Sequence, residues 1–184
     1  MEGKDNVLSI YDLKNNRIKE KNITKEIFIG LVKENKISLY RLAKSMLKME
    51  ADVEDVISET ILKAFKNINK LKELESFKPW IMRILVNECY ALINKKNKID
   101  LEENMEVYNL KYEEVESKSL IWAINQLNDD SRAVIILFYY EDMSIKDMSS
   151  ILNVPEGTVK SRLSRAKDKL KIILEKERGS EVIG

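Results

Sequence analysis

Residues 144–170 read SIKDMSSILNVPEGTVKSRLSRAKDKL, and this stretch decides the fold. Ser144, with Asp147 three residues on, supplies a hydroxyl cap and a carboxylate for the start of a helix. Ile145, Met148, Ile151 and Leu152 give that helix an inward face. Asn153 and Val154 make a turn, and Pro155 opens the next helix, where its missing N–H is not required. In the second helix Val159, Leu163, Ala166 and Leu170 fall within about 40° of one another at about 100° per residue, which makes them the buried seam. The opposite arc holds Thr158, Ser161, Arg165 and Asp168, with Arg162 on one flank and Lys160 and Lys167 on the other. Such a surface suits a DNA major groove: small hydroxyls let the helix approach, Arg reaches a guanine edge, and lysines neutralise phosphate. The plain alternative is a solvated cationic face on a terminal helix.

The rest of the chain is helical in character. Two Pro, five Gly, 34% charged and 44% hydrophobic residues in 184 argue for long helices over turn-rich β structure. The formal charge of +1 hides a segregation. Residues 158–178 carry eight Lys/Arg against three acids, and residues 100–116 carry seven acids against one Lys. Cys89 is the single cysteine and there is no histidine, which removes intramolecular disulfides, Cys/His zinc sites and His-based triads together. No nucleophile with a base, metal cluster or phosphate-cradling loop is in view, so the expectation is a non-enzyme with no catalytic residue, metal or cofactor. The longest apolar run, AVIILFYY (133–140), is too short to span a bilayer, and the polar MEGKDN start lacks a signal-peptide core. A reducing cytoplasm is the expected location.

Periodicity divides the chain. Residues 1–23 read as a polar arm. Residues 24–98 hold three amphipathic helices: one from Thr24 to Leu47 that breaks near Asn35, one from Ala51 to Phe65, and one from Phe77 that the basic KKNK (95–98) closes. Residues 99–112 are an acidic flexible linker. Residues 113–178 hold four more helices, about 113–127, 129–141, 144–152 and 155–175, and 179–184 are a tail. The fold class is therefore all-α, with two small helical domains and the helix-turn-helix in the second. In the second helix Asp52, Asp55 and Glu59 share one stripe, at i, i+3 and i+7, while Val53, Ile57 and Ala64 face away. Phe77 and Trp80 are expected to be mainly core, and Tyr90 is left undecided between core and stacking platform.

VPEGTVKSRLSRAKDKL (154–170) resembles the fourth conserved region of sigma-70 family transcription initiation factors, in the extracytoplasmic-function group. INQLNDDSRAVIILFYYEDMSIKDMSSIL (124–152) resembles the group's pattern of a Leu, a short turn, an Arg and an apolar helix ahead of the helix-turn-helix. DVEDVISETILKAF (52–65) and FKPWIMRILVNECYALINKKNK (77–98) resemble its second region. The likeness covers residues 25–175. Asn128 departs from a usual Pro, Lys146 to Ser150 from a Glu-Ile-Ala sequence, and Ser58 from a common Gln.

The resemblance implies a promoter-specificity subunit that binds core RNA polymerase and is controlled by an anti-sigma factor, of a kind that can be membrane-anchored, in response to an extracytoplasmic or stress signal. The protein itself is expected to be monomeric when free, with no membrane insertion. Asp52, Asp55, Glu59 and Leu62 would dock on the beta-prime clamp, and the C-terminal unit would grip the beta flap. Asn67, Asn69, Lys70 and Lys72 would sit in the loop that captures a flipped minus-ten base. Arg83, Asn87, Lys95 and Lys96 would line the DNA side of the third helix. Thr158, Lys160, Ser161, Arg162 and Arg165 would read the minus-thirty-five element. Two rivals remain at this stage: a free-standing helix-turn-helix regulator, which leaves the acidic stripe without a role, and a helical adaptor that does not bind DNA.

Overall fold

A computed structural model describes residues 23–102 and 120–180, with side chains through 97 and from 120 to 176. Residues 1–22 of the expected arm, 103–112 of the linker, 113–119 of the helix expected at 113–127 and 181–184 of the tail lie outside the described residues. Seven helices make up the rest: α1 (Lys25–Met46), α2 (Glu50–Asn67), α3 (Phe77–Glu102), α4 (Leu120–Asn125), α5 (Asp129–Ile135), α6 (Ile145–Leu152) and α7 (Glu156–Ser180). Among the described residues there is no strand.

α1 begins where Thr24 Oγ1 accepts from the Ile27 N–H. It runs unbroken through Asn35, against the break expected there. The side chain of Asn35 is buried, and its Nδ2 donates to the Leu31 carbonyl at 2.8 Å. The amide shares the i−4 carbonyl of the helix ladder, which satisfies its buried donor without ending the helix. α1, α2 and α3 pack on one another through Leu39, Leu42, Val53, Phe77, Ile81, Met82 and Leu85, all fully buried. Each such side chain contributes about 1.5–3 kcal/mol relative to exposure. α3 also outruns its expected end at the KKNK string, continuing to Glu102. The residues after Lys98 are helix formers with no Gly or Pro, so nothing local stops the helix.

The C-terminal unit is organised by Arg132. Its guanidinium is buried and donates to the carbonyls of Leu127 (2.6 Å), Asn125 (3.0 Å) and Ile124 (3.4 Å). These carbonyls lie at and just beyond the end of α4, where the helix ladder runs out, although Ile124 also accepts from the Leu127 N–H at 3.1 Å, and five fixed N–H donors suit the cluster. Asn128, in the place of a usual Pro, caps α5 by accepting the Ser131 N–H at 2.9 Å. After Ile135 the chain widens into one turn of π-helix (Ile136–Tyr140), where the Glu141 N–H bonds back to Ile136. α6 starts as read: the Asp147 N–H donates to Ser144 Oγ at 3.1 Å, and Ser144 Oγ lies 2.6 Å from the Asp147 carboxylate. Asn153 takes the left-handed conformation that ends α6, with φ 53° and ψ 45°. Pro155 stands just before α7, its carbonyl accepting from Thr158 and Val159, so it precedes the first turn that the sequence reading put it in.

The two units are in contact. α1 lies against α5 and the π turn, and α3 lies against α6. Arg132 also reaches across to the Ser45 carbonyl at 3.0 Å. Glu141 is buried between Arg41 of α1 and Lys78 of α3, 3.0 Å from the lysine Nζ. The guanidinium of Arg41 also covers the Tyr140 ring at 5.1 Å.

Candidate nucleic-acid and polymerase interfaces

α7 is held by Val159, Leu163 and Ala166, all buried, with Leu170 half-buried, and this fixes which residues point outward. Lys160, Ser161 and Arg165 are exposed, and Thr158 and Arg162 are half-buried. Ser161 Oγ donates to the Thr158 carbonyl at 3.0 Å, and Arg165 Nε donates to the Ser161 carbonyl at 3.2 Å, tying both to the preceding turn. Arg162 is different: its Nη2 pairs with Asp130 of α5 at 3.0 Å, and its Nη1 is buried with no described partner.

Asp130 also meets the N-terminal unit. Its other oxygen lies 3.5 Å from the Tyr90 hydroxyl on α3. Burial first, and the negative charge of Asp130 second, raise the pKa of that hydroxyl. Tyr90 is half-buried in this junction. Phe77 is core and Trp80 half-buried, packed ring against ring at 5.9 Å.

Sequence reasoning passed over three further exposed positions of α7: Glu156 at its start, and Gly157 and Ser164 on its outer face. A Cβ at Gly157 would have nothing within 4 Å, and its φ is not positive. Glycine in a helix costs about 1 kcal/mol against alanine, so the chain's own packing does not require it. The same helical projection that placed Ser161 would have found Ser164. Asp130 had no local signal, since its pairing exists only once α5 and α7 meet.

On α3, Arg83 and Asn87 are exposed and share one stripe at i and i+4, and Lys95, also exposed, lies about 80° round from Asn87 at about 100° per residue. Lys96 is a quarter turn round and is engaged elsewhere. Its Nζ sits 2.8 and 2.7 Å from the two carboxylate oxygens of Asp52 on α2. The acidic stripe is thus divided: Asp52 is half-buried under Lys96, whereas Asp55 and Glu59 are exposed. Glu59 lies 3.6 Å from Lys63, which bonds Glu88 at 2.6 Å and whose pKa is raised first by that bond. Leu62 and Phe65 stand 45% and 46% exposed beside them, an apolar addition to an acidic surface. In the loop between α2 and α3, Asn69, Lys70 and Lys72 are exposed, while Asn67 is half-buried and donates to the Lys63 carbonyl at 2.9 Å.

An apolar groove of about 720 Å³ opens on the C-terminal unit, lined chiefly by Leu120, Ile124, Tyr139, Tyr140, Leu170 and Leu174. No group of three or more metal-ligating side chains occurs among the described residues. Among them, too, no helix is long and apolar enough to cross a membrane.

An all-α chain with an acidic helix in one unit and a capped helix-turn-helix in the other has the layout of a transcription initiation factor, and comparison places it in a family. Residues 31–99 match the family model for sigma-70 region 2, and residues 117–170 match that for sigma-70 region 4. The ECF RNA polymerase sigma factor SigW of Bacillus subtilis is 31% identical over 174 residues, covering 84% of this chain and 93% of the relative. The RNA polymerase sigma factor SigV of the same organism is 29% identical over 163 residues, covering 87% and 98%. The fold is similar to that of the sigma factor RpoE from Bartonella quintana, solved in complex with the anti-sigma factor NepR. That likeness has a TM-score of 0.67 and 25% identity over 80% of this chain and 96% of that one. The chain belongs to the extracytoplasmic-function group of the sigma-70 family.

Proposed function

We propose that the protein is the promoter-specificity subunit of a bacterial-type RNA polymerase, acting in the cytoplasm and held in check by an anti-sigma factor. The observation that carries this reading is the coexistence, in family order, of an exposed acidic-apolar surface on α2 and an outward basic face on a properly capped helix-turn-helix. Asp55, Glu59 and Leu62, with Asp52 at the edge, form the docking surface for the basic beta-prime clamp. The Leu120–Leu174 groove suits an apolar segment of the beta flap. A free-standing regulator would have no need of either, and is not favoured.

Lys160, Ser161 and Arg165 read the minus-thirty-five major groove, with Thr158 at its edge and Arg162 once released from Asp130. Gly157 lets the DNA backbone approach the first turn of α7. Arg83, Asn87 and Lys95 follow the minus-ten strand, Lys96 adds charge when it leaves Asp52, and Asn69, Lys70 and Lys72 surround the captured base. Asn67 holds the end of α2 beneath them. Unstacking costs a few kcal/mol per step, which pocketed bases and held phosphates must offset. The phosphodiester chemistry belongs to the polymerase, so this chain supplies no catalytic group.

The test is co-elution of the chain with core polymerase, compared with Asp55→Lys/Glu59→Lys. Holoenzyme formation by the parent chain and its loss in the charge-reversed one are expected. Equal binding by both would remove the assigned surface.

A further inference from the structure

Lys63 continues the acidic stripe of α2 one helical turn beyond Glu59. At about 100° per residue it stands about 20° round from Asp52 and about 40° from Glu59, so a cation lies on the face assigned to a basic partner. A glutamate four residues ahead of a lysine is the favoured order for a helical ion pair, and such a pair here would cancel Glu59. The fold does something else with the lysine. Glu59 lies 3.6 Å from Lys63 Nζ, whereas Glu88 of α3 lies 2.6 Å from it and accepts its hydrogen bond. The difference follows from surroundings. The Glu88 side chain is 16% exposed where α2 packs on α3, while that of Glu59 is 47% exposed and screened by solvent. A carboxylate so far out of water is tolerated when it is paired, and Lys63 is the cation it holds.

We propose that Glu88 is a positioning residue for polymerase docking: it draws Lys63 against α3 and leaves the Glu59 carboxylate free to meet a basic partner. The inference rests on the docking surface assigned to α2 and deepens it. Without Glu88, Lys63 turns to Glu59 and cancels one of the stripe's two exposed carboxylates, Asp55 and Glu59. Like charge facing the partner is also repulsive, so an unheld Lys63 weakens docking by both routes. Glu88 acts through Lys63 and makes no contact of its own with the partner.

The test titrates the full chain against core RNA polymerase at low and high salt, as the parent, Glu88→Gln, Lys63→Gln and the double variant. Glu88→Gln is expected to weaken binding about two- to fivefold at low salt, the range that one exposed ion pair is worth, and less at high salt. Lys63→Gln should bind at least as tightly as the parent, and adding Glu88→Gln to it should change nothing further. A second readout needs no polymerase. In the free chain, nuclear Overhauser contacts between the Lys63 Cε protons and the Glu59 Cγ protons should strengthen in Glu88→Gln, in spectra that otherwise keep the parent's fold. Parent-like binding by Glu88→Gln, an equal loss in the Lys63→Gln background, or unchanged Lys63–Glu59 contacts would each overturn the positioning role. Asp55→Lys/Glu59→Lys, run alongside, separates the two ideas. If it binds as well as the parent, the docking surface fails and the role of Glu88 with it. If it loses binding while Glu88→Gln does not, Glu88 alone is overturned.

Discussion

The two cationic segments, Lys95–Lys98 on α3 and Lys160–Arg165 on α7, look alike in composition and differ in what the fold has done with their charge. On α3 the lysine nearest the acidic helix, Lys96, is bound by both oxygens of Asp52 in its own unit, and Arg83, Asn87 and Lys95 are left exposed. On α7 the cation taken up is Arg162, and its aspartate also touches Tyr90 of the other unit. The α3 pair neutralises part of the acidic helix α2 locally, whereas the α7 pair belongs to the junction between units. Counting Lys and Arg therefore overstates the charge offered to DNA in both places, for different reasons.

The largest expected effect that separates them is at Arg165. Arg165→Ala should lower transcription from a promoter dependent on its minus-thirty-five element by about fivefold to a hundredfold, since a good base contact is worth about 1–3 kcal/mol. The melting temperature should not move, because the side chain is exposed and bonds only its own helix. A loss of stability in place of the loss of transcription would make α7 an ordinary surface helix.

Next come the two lysines of α3. Lys95→Ala should slow open-complex formation several-fold more than Lys96→Ala, because Lys96 must first leave Asp52. Permanganate footprinting of the melted region measures this, and equal effects would erase the distinction between the neighbours.

Asp130→Asn should strengthen binding of a duplex minus-thirty-five site by a few-fold at low salt, by freeing Arg162. The gain should vanish in an Arg162→Ala background, which a double-mutant cycle reads directly.

The smallest change is in stability alone. Asn128→Ala removes the cap of α5 and should cost about 1 kcal/mol, or roughly 2–4 °C in a chain of this size, without altering promoter choice.

Much of this organisation is legible in the sequence because it is local. The Ser144/Asp147 cap, the Asn153 turn and the Val159/Leu163/Ala166 seam each depend on residues within a turn or two of one another. The end of α3 was misread because a basic string resembles a helix C-terminus, whereas the residues beyond it continue the helix just as well. The Lys96–Asp52 pair joins residues 44 apart in sequence, and the Arg41–Glu141 pair joins residues 100 apart. Neither leaves a periodic trace, because each depends on how helices are laid together after they form. Burial of Glu141 was hidden further by the π turn, which shifts the register that a regular helical projection assumes.

The central claim is that this chain gives a core polymerase its promoter choice. It is tested most directly by adding the purified protein to core RNA polymerase on a library of promoter fragments and sequencing the transcripts. The account predicts initiation at a restricted set of sites sharing two elements, absent without the protein and lost with Arg165→Ala. Transcripts that start at the same sites without the protein, or no promoter-dependent transcripts with it, would contradict the account.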